Sequence, residues 1–304
     1  MTKKAARKTP PKVANPRLKA YLDATKNESV ILGPLDRYLQ LLPNGRDTTV
    51  IHPSEMASKE WCHRATWLRL TGHLPRKSAP LTLRPNLIFS EGHLIHAKWQ
   101  GWLGDMGVLW GEWLCWACDL RVLGYSDEIG AVCPAVSPAV GGSRKPHLWK
   151  YMEVPLKHTN LRIGGHADGI VNMSGDEPFL LEIKSIGPGT IRLLDLLAEH
   201  EADDISSDRF SKITRPMNSH FMQTQLYLRL AQEHRPDVGD VRRAVVVYEH
   251  KSDQQVREFV VTRNDKWTDP LLDAAMDIVW AIDRGREVRC NHGGCALCGA
   301  YVED

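Results

Sequence analysis

Residues 164–185 read GGHADGIVNMSGDEPFLLEIKS. Asp168, Glu182 and Lys184 stand there among apolar neighbours. FLLEIKS otherwise has the character of a buried strand, and ionised groups are placed in such strands only with partners. Side chains of a strand alternate between faces, so Glu182 and Lys184 share one. The segment NMSGDEP is rich in turn formers and joins two strands, about residues 161–171 and 179–185. A turn centred near Gly175 pairs each position i with 350 − i. Asp168 then lies opposite Glu182, and His166 opposite Lys184.

Two carboxylates that close repel each other, and each resists ionisation. A divalent cation removes the conflict. Mg²⁺ or Mn²⁺ takes oxygen ligands, typically one or two carboxylates together with water and a substrate phosphate. A lysine beside that ion can orient or deprotonate a water, or stabilise charge on the phosphate. The chemistry such a hairpin suits is metal-assisted hydrolysis of a phosphodiester. The competing arrangement is a surface hairpin whose charges simply face solvent.

Outward from the hairpin the chain reads as mixed α/β. SEMASKEWCHRATWLRLTG, residues 54–72, predicts one helix, with Ser54 as its N-cap and Gly72 as its stop. A second helix is expected over about residues 86–103. Strand-like alternation fills 108–155, interrupted by the Pro/Gly/Ser loop CPAVSPAVGGSRKPH. Helices follow at about 190–200 and 219–234, strands at RRAVVVYEH and QVREFVVT, and a long helix at about 265–284. The expected architecture is an α/β core with a central mixed sheet flanked by helices.

The chain has 304 residues, 42% apolar and 25% charged, with a net charge of +2. That composition is ordinary for a soluble globular protein. No apolar run approaches the roughly 18 residues that span a bilayer, so no membrane association is expected. Residues 1–45 read as a basic, disordered arm and connector, and residues 46–304 as one domain. Lys3, Lys4, Arg7, Lys8, Lys12, Arg17 and Lys19 crowd the arm without an acid among the first 22 residues. Such an arm is a solvated tail or a non-specific phosphate contact. It lacks the apolar core of a secretory signal, which predicts a cytoplasmic protein.

Seven cysteines in such a chain point to metal or catalysis rather than disulfides. Cys115, Cys118 and Cys133 form a middle group, and with His147 they would complete a zinc knuckle inserted at about 108–148. Packing of these thiols among tryptophans is the alternative. Of the ten tryptophans, seven fall between Trp61 and Trp116. They are expected mainly in the core, with some free to stack on unpaired bases. Arg64, Arg69, Arg76, Lys77 and Arg84 either line a strand-binding groove or form solvated surface.

Five short motifs in order carry a resemblance. EGHLIH contains G-x-x-x-H, with Gly92 and His96. YMEVPL contains Glu153, and RIGGHADGI contains I-x-G-x-x-D, with Ile163, Gly165 and Asp168. LEIKS supplies E-x-K, and QTQLY supplies Q-x-x-x-Y with Gln223 and Tyr227, one helical turn apart. Together they resemble the PD-(D/E)xK nuclease superfamily in its RecB-like branch, in particular the iron–sulfur exonucleases of the CRISPR-associated Cas-four type and their phage relatives. The resemblance runs from Ser54 to the C-terminal cysteines. It implies a restriction-endonuclease-like core and a Mg/Mn-dependent deoxyribonuclease, an exonuclease acting on single-stranded DNA or DNA ends.

On that resemblance His96, Asp168, Glu182 and the backbone carbonyl of Ile183 would hold the ion. Lys184 would act on the attacking water, and Gln223 and Tyr227 would contact the scissile strand or support Lys184. His93 and Gln225 do not fit the motif spacing. Cys62, Cys290, Cys295 and Cys298 would bind a [4Fe–4S] cluster, with His292 a bystander. The C-x4-C-x2-C spacing departs from the family's usual close pair followed by a longer gap, so tetrahedral Zn²⁺ stays open as an alternative. The implied partner is DNA, in recombination, repair or CRISPR-type processing. The alternative is an end-binding assembly subunit for a recombinase, helicase or integrase.

Overall fold

The computed structural model describes residues 30–42, 45–73, 75, 82–129, 149–173, 177–193 and 208–301. Cys133, His147, Arg76, Lys77 and the hairpin turn at 174–176 lie outside the described residues. The chain divides into two units, residues 1–45 with 79–89, and residues 46–78 with 90–304. In the first, helix α1 (Leu32–Leu41) occupies part of the expected connector. The backbone N–H of Leu83 donates to Asp36 Oδ1 at 2.5 Å, within the same unit.

The larger unit carries the sheet. Its helices and strands run in order α2 (Pro53–Met56), α3 (His63–Leu70), α4 (Leu83–Asp105), β1 (Leu109–Cys115), β2 (Arg121–Tyr125), β3 (Trp149–Tyr151) and β4 (Val154–His158). They continue with β5 (Ile163–Ala167), β6 (Gly169–Val171), β7 (Phe179–Ile186), α5 (Pro188–Leu193), α6 (Asp208–Ser211) and α7 (Asn218–His234). Last come β8 (Arg243–His250), β9 (Val256–Thr262), α8 (Asp269–Asp283) and α9 (Ala296–Gly299). The first residues of α4, to Phe89, belong to the smaller unit.

Strand order in the main sheet is β2-β1-β6-β7-β8-β9, with β3 also paired to β1. β7 and β8 run parallel and the other pairs antiparallel, so the sheet is mixed. The parallel pair needs a long crossover, and α5, α6 and α7 lie in it. Strand alternation sorts the core into two layers. Leu180 and Ile186 of β7, with Ala244, Val246 and Tyr248 of β8, pack with Leu226, Tyr227 and Leu230 of α7. Leu181, Ile183 and Val247 pack with Ile95, Trp99 and Leu103 of α4. One helix thus covers each face of the central strands. No helix among the described residues is long and apolar enough to cross a membrane.

The hairpin pairs Gly169 with Leu181, Ile170 with Leu180 and Val171 with Phe179, the register in which partners sum to 350. The first strand is nonetheless broken at Asp168. β5 turns away and pairs with β4 in a separate two-stranded sheet, so His166 faces Pro155 rather than Lys184. The single helix expected over 54–72 is also interrupted. Pro53 opens α2, Ser58 Oγ accepts the N–H of Glu60 at 3.1 Å, and the chain restarts as α3 with Cys62 Sγ capping Ala65 N. Local side-chain bonds of that kind compete with helix continuation. The helix expected at 190–200 is described only as α5; residues 194–200 lie outside the description.

Gly111 in β1 marks a close approach. A Cβ there would meet the hydroxyl of Tyr151 at 2.5 Å and its ring at 2.6–2.8 Å, and that side chain is held by a bond from its hydroxyl to Trp110 O at 3.0 Å. Gly111→Ala is expected to lower stability by about 1–3 kcal/mol, the usual range for overpacking. The shift of the urea unfolding midpoint measures it, and an unshifted midpoint would show that the Tyr151 wall is free to move.

Candidate active site

The break at Asp168 turns a buried carboxylate into a junction. Its Oδ1 meets His96 Nδ1 at 3.0 Å, and its Oδ2 accepts the N–H of Ile183 at 2.5 Å. Its backbone carbonyl accepts from Gln100 Nε2 at 3.1 Å. Three elements, α4, the β5–β6 corner and β7, therefore converge on one residue. Charge-assisted bonds of this type contribute about 1.5–3 kcal/mol each.

His96, Asp168 and Glu153 bring one ligand atom each to within 4.8 Å of one another, a spacing that suits a metal ion. Glu182 stands outside that group. Its carboxylate is almost wholly buried at 2% exposure, and Oε1 is held by Lys184 Nζ at 2.6 Å. Its other oxygen, Oε2, is buried with no hydrogen-bond partner. An orphaned buried carboxylate oxygen is costly, and a cation nearby would offset that cost. The donor set of two carboxylates, an imidazole and this free oxygen suits a hard divalent ion. Ile183 contributes its N–H to Asp168.

In the sequence Glu153 is marked only by its place in YMEVPL. Its backbone has φ +68°, a left-handed conformation that costs a non-glycine residue about 1–3 kcal/mol. The corner is pinned by Glu112 N to Glu153 O and by Met152 N to Glu112 O, both at 2.8 Å. This turn sends a side chain between β3 and β4 toward Asp168. An acid in an otherwise apolar strand was the only trace of it in the sequence.

Burial pushes the carboxyl of Glu153 up to about 7, and the charge of Asp168 adds to the effect. Burial likewise lifts Glu182 to about 7, with Lys184 pulling the other way. Desolvation works against a charged Lys184, but Glu182 and Asp168 outweigh it and raise its pKa. His96 behaves alike: burial opposes its charge, and the bond to Asp168 more than compensates. Lys184 thus stays an ammonium in the metal-free chain.

Gln223 and Tyr227 lie on α7, over the sheet face that carries Glu182 and Lys184. Gln223 Nε2 donates to Tyr227 Oη at 3.1 Å, and both side chains are buried. The Tyr227 ring rests against Gly165, where a Cβ would come within 3.2 Å of it. Gly92 similarly faces Ser185, with 3.2 Å from a would-be Cβ to Oγ. The motif glycines are close-packing positions. Gln225 instead ties α7 to the end of β9, donating to Thr262 O and accepting from Asn264 N, each at 2.8 Å.

A second cluster joins the two ends of the larger unit. Cys62, Cys290, Cys295 and Cys298 hold their sulfurs within 4.8 Å of one another. Cys62 lies 3.7 Å from Cys290, and Cys295 lies 3.7 Å from Cys298. Burial pushes the Cys62 thiol up to about 12, whereas backbone N–H groups of His292 and Gly294 bring Cys290 down to about 6. A bound metal would take all four as thiolates. The two 3.7 Å separations match a tetrahedral ion with sulfur bonds of 2.3 Å, which spans about 3.8 Å between thiolates. Asn291 stitches the loop to the first cysteine, accepting from His63 N at 2.9 Å and donating to Trp61 O at 3.0 Å. His292 also bonds Trp61 O, at 3.0 Å.

Of the middle group, Cys115 ends β1 and is buried, and Cys118 lies in the turn beyond it. Arg69 is committed to the fold. It pairs with both oxygens of Glu55 at 3.2 and 2.9 Å and with the carbonyls of Thr48 and Val50, each at 2.7 Å. Arg64 pairs with Glu287 at 2.7 Å. Trp61, Trp110 and Trp113 are core residues, while Trp102 and Trp116 are exposed.

No protein-family model matches the chain, and no curated protein is recognisably similar in sequence. Among solved structures it is similar to the protein SSO0001, at 14% identity and TM-score 0.36, over 83% of this chain and 87% of that one. It is also similar to LHK-Exo, an alkaline exonuclease from Laribacter hongkongensis, at 13% identity and TM-score 0.40, over 78% and 90%. Likenesses this distant carry no weight for function, which rests on the geometry above.

The raised carboxyls have a thermodynamic consequence. Folded metal-free chain holds protons on Glu153 and Glu182 up to about 7, against an ordinary value of 4.5. The folded state therefore binds more protons than the unfolded one in that window, and stability falls as pH rises through it. A divalent ion should counter the loss only where the carboxyls are ionised. Mn²⁺ is expected to raise the Tm more at about pH 7.5 than at about pH 5. Equal gains at both would refute the assignment of these carboxyls to an ion site.

Proposed function

We propose that the chain is a metal-dependent nuclease that hydrolyses phosphodiester bonds of DNA, an exonuclease preferring single strands or ends. The observation that carries this is the convergence of His96, Glu153 and Asp168 beside a buried Glu182–Lys184 pair with an orphaned oxygen. The motif order of a restriction-endonuclease-like, RecB-type nuclease supports it. His96, Glu153 and Asp168, with Glu182 Oε2 beside them, would hold Mg²⁺ or Mn²⁺. The ion would supply Lewis acidity and an activated water.

The chain's own residues do the rest. His96 and the N–H of Ile183 fix the Asp168 carboxylate in place. Lys184, kept protonated by its carboxylate neighbours, donates to the phosphate oxygens as charge builds on them. Glu182 aims the ammonium. Tyr227 stays a neutral phenol, its pKa raised by burial and by Glu182, and Gln223 orients its hydroxyl. The pair can hydrogen-bond the scissile strand without adding charge. In cells the protein would act in recombination, repair or CRISPR-type DNA processing.

The four-thiolate site takes a [4Fe–4S] cluster on the family resemblance, and a single zinc ion on the spacing of the thiols. Either would staple α3 to the C-terminal segment. Protein purified without oxygen decides between them. Iron with acid-labile sulfide and a broad visible absorption establishes the cluster; colourless protein with stoichiometric zinc establishes the ion.

End-labelled single-stranded DNA with Mn²⁺ tests the activity. The wild type is expected to cut, and Asp168→Ala or Lys184→Ala to cut about 10²–10⁴-fold more slowly. Labels at the two ends give the polarity. Wild-type rates in either variant would sink the site assignment.

A further inference from the structure

Among the described residues, a cleft of about 790 Å³ counts His96 and Glu153 of the metal-type site among its lining residues. One side is α4, where the small residues Ala97, Gly101 and Gly104 follow at helical spacing beside Gln100, between His96 and Asp105. The cleft's wall is the β3 edge, where Trp149 and Tyr151 stand two residues apart and so share one face. Tyr151 packs edge-on against the buried Trp113, with centroids 4.9 Å apart, which holds the wall rigid. Lys150 also lines the cleft, and its ammonium lies 5.8 Å from the ring centre of Trp116. Trp116 is 68% exposed.

We propose that this cleft seats the unpaired strand next to the scissile phosphate, with its bases against Trp149 and Tyr151. The inference rests on the nuclease reading above and names the substrate-binding residues of that site. Four features select an unpaired polynucleotide. The cleft shares His96 and Glu153 with the metal-type site. Its volume lies within the range of about 300–1,000 Å³ typical of small-ligand pockets, too small for a duplex. Flat rings stack on any base, but only on one released from pairing. The ammonium of Lys150, which lines the cleft, suits a phosphate backbone. Asp105, at the glycine end, is the one acid besides Glu153 and would be kept clear of phosphate.

The glycine at 101 makes a clean test. A Cβ at Gly101 meets nothing within 4 Å, and the position is exposed and helical. Gly101→Leu should therefore fold while filling the cleft from the α4 side. Binding is read first, in chelator, from quenching of a single-stranded oligonucleotide containing 2-aminopurine. Gly101→Leu is expected to weaken it ten-fold or more, and Trp149→Ala to remove most of the quenching. Turnover is read second, as the ratio of single-stranded DNA cleavage to hydrolysis of bis(p-nitrophenyl) phosphate with Mn²⁺. The small ester needs only the catalytic groups, so Gly101→Leu should lower the ratio at least ten-fold. Binding by Gly101→Leu as tight as that of the wild type overturns the cleft assignment whether or not the protein cleaves. A wild type that hydrolyses neither substrate, yet loses binding on Gly101→Leu, keeps the cleft and discards the nuclease.

Discussion

Asp168 is a buried carboxylate at the point where a strand stops being straight. The structure around it is arranged to make that tolerable. An imidazole from α4 meets one oxygen, a backbone N–H from β7 meets the other, and Gln100 takes the carbonyl. Without these partners an ionised group at this depth would cost several kcal/mol. The junction also sets topology: β5 leaves the main sheet at Asp168 and pairs with β4, which brings Glu153 alongside.

The same burial that makes the site costly makes it reactive. Glu153 and Glu182 resist ionisation because water is excluded, and Lys184 holds its proton because carboxylates surround it. Such opposed shifts are common where catalysis or a bound ion occurs, since structure alone gains little from clustered buried charge. The strained φ of Glu153 belongs to the same pattern, a local cost retained next to functional groups. The cysteine cluster is a separate device. It joins α3 to the loop before α9 at a distance of 228 residues in sequence, where apolar packing is thin.

Much of the site was legible in the sequence. Alternation in FLLEIKS placed Glu182 and Lys184 on one face, and the turn-rich joint fixed a register of 350 that pairing in β6 and β7 follows. Four-residue spacing put Gln223 and Tyr227 together, and their side chains do meet. Asp168 escaped full reading because strand periodicity carries no information about a kink. An unbroken strand would set His166 opposite Lys184; with the kink it pairs with Pro155 and lines the cleft. Arg69 read as a candidate for DNA, but a guanidinium's partners come from distant carbonyls and carboxylates that no local pattern reveals.

The sequence by itself determined the α/β class, the hairpin, its register and the residue types that gather there, because each depends on short-range periodicity and turn chemistry. Tertiary structure alone decided which carboxylate stands with His96 and Asp168. Glu153 takes that position and Glu182 is drawn to Lys184. The cause is long-range: a left-handed corner between β3 and β4 and the departure of β5 from the main sheet reorient carboxylates that lie 14–29 residues apart in sequence.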